Sequence, residues 1–337
     1  MRQYRSVRRA CEKGRAKTFE RDTERILLFD TTSNSSLLAS TGMSSQMSVA
    51  KPKASAKASM KYVGFLAEEE IIISNTICNV VIFMENYKQQ ALELLKSGET
   101  GDNGPLSYIN PDNYTQHNLT LKDGIQGLIE RRAINQKISF KVNPLRAFQD
   151  GNFVFAHSEF SIPNVSLIGF DIFRFEDGKI VEHWDNFQQK AATPSPSGHT
   201  MTDGPTTASD LDETEANKLL LQNYMDDLLK GRGEKFAGYF DGDNYIQHNP
   251  LVADNLTGLF AGLKALATQG LAVKYAEVHK ILGEGNFVLV VSEGTFGDKP
   301  SAYYDLYRIQ NGKIAEHWDT IQAIPPRDEW KNSNGKF

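Results

Sequence analysis

At 337 residues the chain is long enough for two domains of ordinary size, each able to bury its own core. Its 40% hydrophobic and 23% charged content fits a globular protein, and a net charge of −5 argues against a surface built for nucleic acid or for an anionic membrane. Two cysteines, Cys11 and Cys78, exclude a disulfide framework and a four-cysteine zinc site.

Residues 1–66 read as a basic, unordered tail. Residues 1–61 carry 13 Lys/Arg against 5 Asp/Glu, so the remainder of the chain is acidic. The Ser/Thr-rich patch from Thr31 to Ser48 and the Ala/Lys/Ser stretch from Lys51 to Ser59 bury too little apolar surface to offset chain entropy. A transit peptide is one reading of the tail, but Glu12, Glu20, Asp22 and Glu24 run against it; a solvated extension is the other. The apolar run Ile71 to Met84 is broken by Ser74, Asn75, Thr76 and Asn79 and falls short of the about 20 residues that cross a bilayer. No signal peptide is visible, and the expected location is cytoplasmic, with organelle targeting by the tail as the alternative.

Two copies of one domain follow, over 67–192 and 211–337, joined by a Pro/Ser/Gly-rich linker over 193–210. Asp112-Asn-Tyr-Thr-Gln-His-Asn118 returns as Asp243-Asn-Tyr-Ile-Gln-His-Asn249. Gly151-Asn-Phe-Val154 returns as Gly285-Asn-Phe-Val288. Asp171 to Asp185 (DIFRFEDGKIVEHWD) returns as Asp305 to Asp319 (DLYRIQNGKIAEHWD). Without a gap, 16 of the 38 positions from 151 to 188 match their partners, which chance does not produce.

Each copy opens with a helix. The first is expected over 70–96, ending at Gly98. The second runs from Glu213 to Lys230, with Leu219, Leu220, Tyr224, Leu228 and Leu229 at helical spacing. A short strand with Tyr-x-Gln-His-Asn comes next, then a second helix (Gly258 to Gly270 in copy two), then three or more strands. The last two strands form a hairpin at Asp177-Gly178 and at Asn311-Gly312, residue pairs that favour a two-residue turn. Helices first and a strand meander afterwards make an α+β domain.

The turn predicts the site. It sets Phe173 opposite Glu182 and Asp171 opposite Trp184. Asp171, Phe173, Phe175, Ile180, Glu182 and Trp184 then share one apolar face, as do Asp305, Tyr307, Ile309, Ile314, Glu316 and Trp318. Burial there raises a carboxylate pKa toward neutrality, as a general acid or base needs. A bulge would slip the register by one and bring His183 and Asp185 inward instead. His117 and His248, at the end of the short strand, are placed to shuttle a proton or orient a carbonyl. His157 shares parity with Phe153, Phe155 and Glu159; Val291 replaces it in copy two, so the two pockets differ. Trp184, Trp318, Glu182, Glu316, His157, Phe173 and Tyr307 are the expected substrate contacts. No phosphate loop or Gly-x-Ser-x-Gly elbow is present. His183 and Asp185 lack further ligands at metal spacing, so no metal or cofactor is expected, and His199 in the linker reads as incidental.

With these motifs the chain resembles the SnoaL-like polyketide cyclases of the nuclear transport factor 2-like superfamily. The resemblance spans both copies and leaves the tail out. It implies two tandem cones, each a curved, mostly antiparallel sheet packed on N-terminal helices around a pocket for a small hydrophobic molecule. It further implies cofactor-free acid–base chemistry of the aldol-cyclisation or isomerisation kind, or a binding module of the same fold without turnover. Carried over, the acid–base residue is Asp171 and Asp305, or Asp185 and Asp319, with His117 and His248 as partners. The sheet-mediated pairing of such domains implies a pseudo-dimer within the chain or a homo-oligomer, with neither nucleic acid nor membrane as partner.

Overall fold

The computed structural model describes residues 86–337 in full, together with four short strands before them. Those strands, β1 (Thr18–Arg21) with β2 (Glu24–Leu27) and β3 (Ile71–Asn75) with β4 (Cys78–Ile82), pair antiparallel. The expectation of an unordered tail otherwise lies outside the described residues. The helix expected over 70–96 is corrected: α1 spans Tyr87–Thr100, and 71–82 holds β3 and β4. The runs Ile71-Ile-Ile and Val80-Val-Ile are β-branched, stiff at χ1, and favour strand over helix.

Asn86 caps α1 by accepting the Gln89 N–H at 3.0 Å, and Gly101 ends it in the left-handed conformation (φ 77°). Next come β5 (Thr115–Gln116) and α2 (Gly124–Asn135). The meander is β6 (Lys141–Asp150), β7 (Phe153–Ile162), β8 (Val165–Glu176) and β9 (Lys179–Gln189). Copy two repeats the order with α3 (Thr214–Leu229), β10 (Ile246–Gln247), α4 (Asn255–Thr268), β11 (Val273–Glu284), β12 (Phe287–Phe296), β13 (Lys299–Gln310) and β14 (Lys313–Ala323). The sheets run β5-β9-β8-β7-β6 and β10-β14-β13-β12-β11, antiparallel except for the parallel edge strands β5 and β10. Among the described residues no helix is long and apolar enough to cross a membrane.

Both predicted hairpins form. Asp177 and Gly178 have φ of 50° and 77°, Asn311 and Gly312 of 51° and 68°, the signature of the two-residue turn that matches strand twist. A β-branched residue is costly at such a φ, so Gly312→Val should destabilise the protein by about 1–2 kcal/mol. An unchanged urea midpoint would contradict this.

The register beyond the turn differs from expectation. Phe175 pairs Ile180, but Arg174 pairs Glu182, Phe173 pairs His183, and Asp171 pairs Asp185. Val181 is the extra residue of a bulge, and Ala315 is its counterpart between Ile314 and Glu316. The bulge sits where β9 changes edge partners: Asn110 N–H bonds Ile180 O before it, and β5 pairs with Glu182 and His183 after it. Asp171, Phe173, His183 and Asp185 therefore share the inner face, while Glu182 and Trp184 turn outward.

Three cores result. One fills copy one between α1 and the sheet, around Phe173, Phe175 and Ile180. A second fills copy two around Tyr224, Met225, Tyr307 and Ile309. The largest joins the outer faces of the two sheets, with Phe155, Phe170, Ile172 and Trp184 against Leu289, Tyr304, Leu306 and Trp318. Arg146 crosses to lie 4.4 Å over the Trp318 ring, and Lys280 crosses the other way to lie 4.1 Å over Trp184.

Candidate functional site

Copy two encloses a cavity of about 300 Å³ between α3, α4 and the concave face of its sheet. Its wall is mostly apolar and aromatic, with Tyr224, Tyr245, Tyr275, Tyr303 and Tyr307 among the lining residues. The polar floor is Gln247, Asn249, His317 and Asp319. Gln188 of copy one also reaches the wall, accepting the Ile321 N–H at 2.8 Å.

The Tyr-x-Gln-His-Asn strand organises this floor. Alternation along β10 sends Tyr245, Gln247 and Asn249 inward and His248 outward. The Asn249 backbone N–H donates to Gln247 Oε1 at 2.9 Å, which fixes that atom as the oxygen. Gln247 Nε2 then donates to the Tyr245 hydroxyl at 2.9 Å. His317 Nδ1 lies 3.0 Å from the same Oε1 and must donate to it; His317 Nε2 lies 3.0 Å from Asp305 Oδ1. Both ring nitrogens thus face acceptors, so a proton is shared between His317 and Asp305. Copy one repeats the chain: Asn118 N–H to Gln116 Oε1 at 2.8 Å, His183 Nδ1 to Gln116 at 3.2 Å, His183 Nε2 to Asp171 Oδ1 at 3.0 Å.

The carboxylates are not equivalent. Asp305 is held by His317 and by the Tyr275 hydroxyl, 3.2 Å from each oxygen, and does not line the cavity. Asp319 lines it. Asn249 Nδ2 donates to its Oδ2 at 2.7 Å, while Oδ1 is buried without a hydrogen-bond partner. Burial raises the Asp319 pKa, opposed by the His317 charge and aided by Asp305. Burial works to lower His317, but its bond to Asp305 and the charges of Asp319 and Asp305 outweigh it and raise the pKa. Burial also lifts Tyr245, Tyr275 and Tyr307 well above the ordinary phenol, so all three remain hydrogen-bond donors.

Copy one carries the same four polar residues in a different wall. Asp185 accepts from Asn118 at 2.6 Å, and burial raises the Asp171 pKa. Phe173 stands for Tyr307. Gly169 stands for Tyr303, and the Phe160 and Phe187 rings fill the space a side chain would need there. Lys336 is buried at the edge of β9, donating to Asp185 O at 2.6 Å and Gln322 Oε1 at 2.7 Å. Burial lowers its pKa.

The remaining predicted residues lie on the outer face. His117 stacks on Trp184 at 4.7 Å and bonds Glu182 at 2.8 Å; His248 stacks on Trp318 at 4.5 Å and bonds Glu316 at 2.8 Å. Burial works to raise Glu182 and Glu316, but bonds from the histidines and from Arg174 and Arg308 hold both below the usual range. His157 is fully buried between the sheets. It accepts from Arg146 at 2.7 Å, and burial beside that cation pushes its pKa well down. Expecting Trp184, Trp318, Glu182 and Glu316 on the same face as Asp171 and Asp305 is therefore corrected by the bulge. Tyr245, Gln247, Asn249 and Tyr275 went unnoticed, although the repeated motif contained three of them.

Among the described residues, four groups bring three His, Asp or Glu ligand atoms within 4.8 Å of one another. They are Asp171/His183/Asp185, Asp305/His317/Asp319, His199/Asp203/His248 and Glu277/His279/Glu293.

No family model matches the sequence. No curated protein matches it either. Solved structures do. TsrD from Streptomyces laurentii is 23% identical over 30% of this chain and 87% of its own, with a TM-score of 0.27. IdmH from Streptomyces antibioticus, provisionally assigned as a polyketide cyclase, is 18% identical over 30% of this chain and 90% of its own, with a TM-score of 0.27. A protein from Kribbella flavida DSM 17836, provisionally assigned as a ketosteroid isomerase, is 20% identical over 34% of this chain and 84% of its own, with a TM-score of 0.27. Helix, short parallel strand, second helix and antiparallel meander, each occurring twice around a concave sheet, make this chain a tandem pair of α+β domains.

Proposed function

We propose that copy two is an acid–base catalyst acting on a small hydrophobic carbonyl compound, of the aldol-cyclisation or isomerisation kind. One observation carries the reading: Asp319 lines an aromatic cavity, its Oδ1 is buried without a hydrogen-bond partner and its pKa is raised, beside the His317–Asp305 pair. In this reading Asp319 takes a proton from the carbon next to the carbonyl. The electron pair moves to the carbonyl oxygen. Tyr245, whose oxygen already accepts from Gln247, keeps its own proton to donate to that oxygen. In an isomerisation Asp319 returns the proton to a different carbon. In a cyclisation the enolate carbon attacks a second carbonyl of the same molecule, one C–C bond forms, and Asp319 protonates the new alkoxide.

His317 and Asp305 serve as positioning residues, setting the charge behind Asp319. His117 and His248, with Trp184 and Trp318, brace the short strand from the opposite face. The working assignment thus falls on Asp319, with Asp185 as its counterpart in copy one, where Phe173 and Gly169 stand in place of Tyr307 and Tyr303. The hydrophobic wall suits a small apolar ligand.

The test is deuterium exchange at the α-carbon, followed by NMR across a panel of cyclic ketones and 1,3-dicarbonyls. Exchange catalysed by the wild-type protein is expected. Ligands that raise the melting temperature without any exchange would leave a binding module and overturn the reading. The pH profile has a definite sign. The rate should rise as Asp319 loses its proton, with a midpoint above the ordinary 3.8. It should fall as His317 loses its proton, with a midpoint above 6.5. A single limb with no fall above 6.5 would remove His317 from the scheme.

A further inference from the structure

The linker is tied to copy two through an imidazole whose two ring nitrogens both face acceptors. His248 is 1% exposed, and its ring is fixed by stacking on Trp318. Its Nε2 lies 2.8 Å from Glu316 Oε1, and Arg308 Nε occupies the other oxygen of that carboxylate. Its Nδ1 lies 2.7 Å from Thr200 O and 2.7 Å from Asp203 Oδ1. Each atom facing the two ring nitrogens is an acceptor. A neutral imidazole carries one N–H, so positive charge has to be supplied at Nδ1, by a second proton or by a cation.

A second imidazole converges on the same carboxylate. His199 Nε2 lies 3.2 Å from Asp254 Oδ2, while its Nδ1 stands 3.8 Å from Asp203 Oδ2, beyond hydrogen-bond reach. Both histidines therefore hold their outer nitrogen against a carboxylate and turn the inner one toward Asp203. This is the support that metal-ligating histidines characteristically have, because the outer carboxylate fixes the tautomer and raises ligand basicity. Three carboxylates, Asp203, Asp254 and Glu316, outnumber the neighbouring cations Arg308 and Arg146, so the site favours added positive charge. An open polar cleft lined by His199, Asp241, Asp243 and Asp254 offers a route in.

We propose that His199, Asp203 and His248 bind one divalent transition-metal ion, zinc(II) by donor type, with the fourth position open to water. Two imidazoles and a carboxylate suit zinc in tetrahedral geometry. The ion pins the linker to the strand whose Gln247 and Asn249 floor the cavity. It gives the incidental-looking His199 a role and departs from the expectation of a metal-free chain. Copy one supplies an internal control. His117 there faces Glu182 and Gly335 O, but no side chain of Asn334-Gly335-Lys336-Phe337 is an imidazole or a carboxylate.

The test uses the full chain, stripped of metal with a chelator and titrated with cobalt(II), then competed with zinc(II). Saturation at one ion per chain, with the visible bands of tetrahedral cobalt, is expected. His199→Asn and Asp203→Asn, both at partly exposed positions, should each weaken binding by at least about tenfold. The metal-free melting temperatures of both variants should stay close to wild type. Wild type should gain melting temperature on adding zinc, and the variants should not. Absence of saturable binding would overturn the proposal. So would binding that survives the double variant, or that is lost in His279→Gln or Asp319→Asn instead.

Discussion

Replacing Asp319 by Asn is expected to lower α-proton exchange by about 10²–10⁴-fold, the range for loss of a positioned general base. The amide keeps the shape of the side chain, and its oxygen can still accept from Asn249, as Asp319 Oδ2 does at 2.7 Å. Folding should therefore survive, and the melting temperature should stay level or rise, because a buried carboxylate with an unpaired oxygen is replaced by a neutral group. Asp185→Asn in copy one is the matched comparison and should leave most of the exchange intact. Asp305→Asn should act differently: its Oδ1 can still accept from His317 and the Tyr275 hydroxyl, but the negative charge that raises the His317 pKa is gone, so it should move the alkaline limb of the pH profile as well as lower the rate. If Asp319→Asn exchanges at the wild-type rate and Asp305→Asn does not, the base has been assigned to the wrong member of the pair.

Trp318→Ala should be the most destabilising single change outside the cavity, by about 3–5 kcal/mol. The ring is 1% exposed, stacks on His248, lies under Arg146 and donates its Nε1–H to Asp203 O at 2.9 Å. Losing it empties space in the core that joins the two sheets. Phenylalanine separates the contributions. Trp184 Nε1 has no hydrogen-bond partner, whereas Trp318 Nε1 does. Trp318→Phe should therefore cost more than Trp184→Phe by about 0.5–1.5 kcal/mol. Denaturant melts of the two Phe variants decide this. Equal midpoints would mean that the Asp203 bond contributes nothing net.

Much of the fold was legible because duplication doubles every signal. The Asp177-Gly178 and Asn311-Gly312 turns have only one good backbone solution, and the leucine spacing of α3 is unambiguous. The first helix was overextended because the Ile71–Ile82 stretch is apolar in a short run, where helical and strand periods are hard to separate. The site was half legible. Counting outward from the turn reached the right residues but paired them one position out, since Val181 and Ala315 look like any other strand residue. Only the edge exchange beside them, where β9 passes from Asn110 to β5, demands a bulge. The alternation within Tyr-x-Gln-His-Asn was available all along. Histidine attracts attention as the titrating residue, yet strand geometry puts it on the opposite face from the glutamine and asparagine that shape the cavity floor.

The crossed clamp of Arg146 on Trp318 and Lys280 on Trp184 joins equivalent positions with different cations. In a symmetric homodimer one gene position writes both ends of such an interface, and every change is made twice. Covalent linkage removes that constraint. Each half can drift alone while the shared seam still holds it in place. Tyr303 can then persist in one half while glycine takes its position in the other, with neither half having to stand alone. Division of labour between a cavity-bearing half and a supporting half is open to this chain in a way that it is not to a pair of identical subunits.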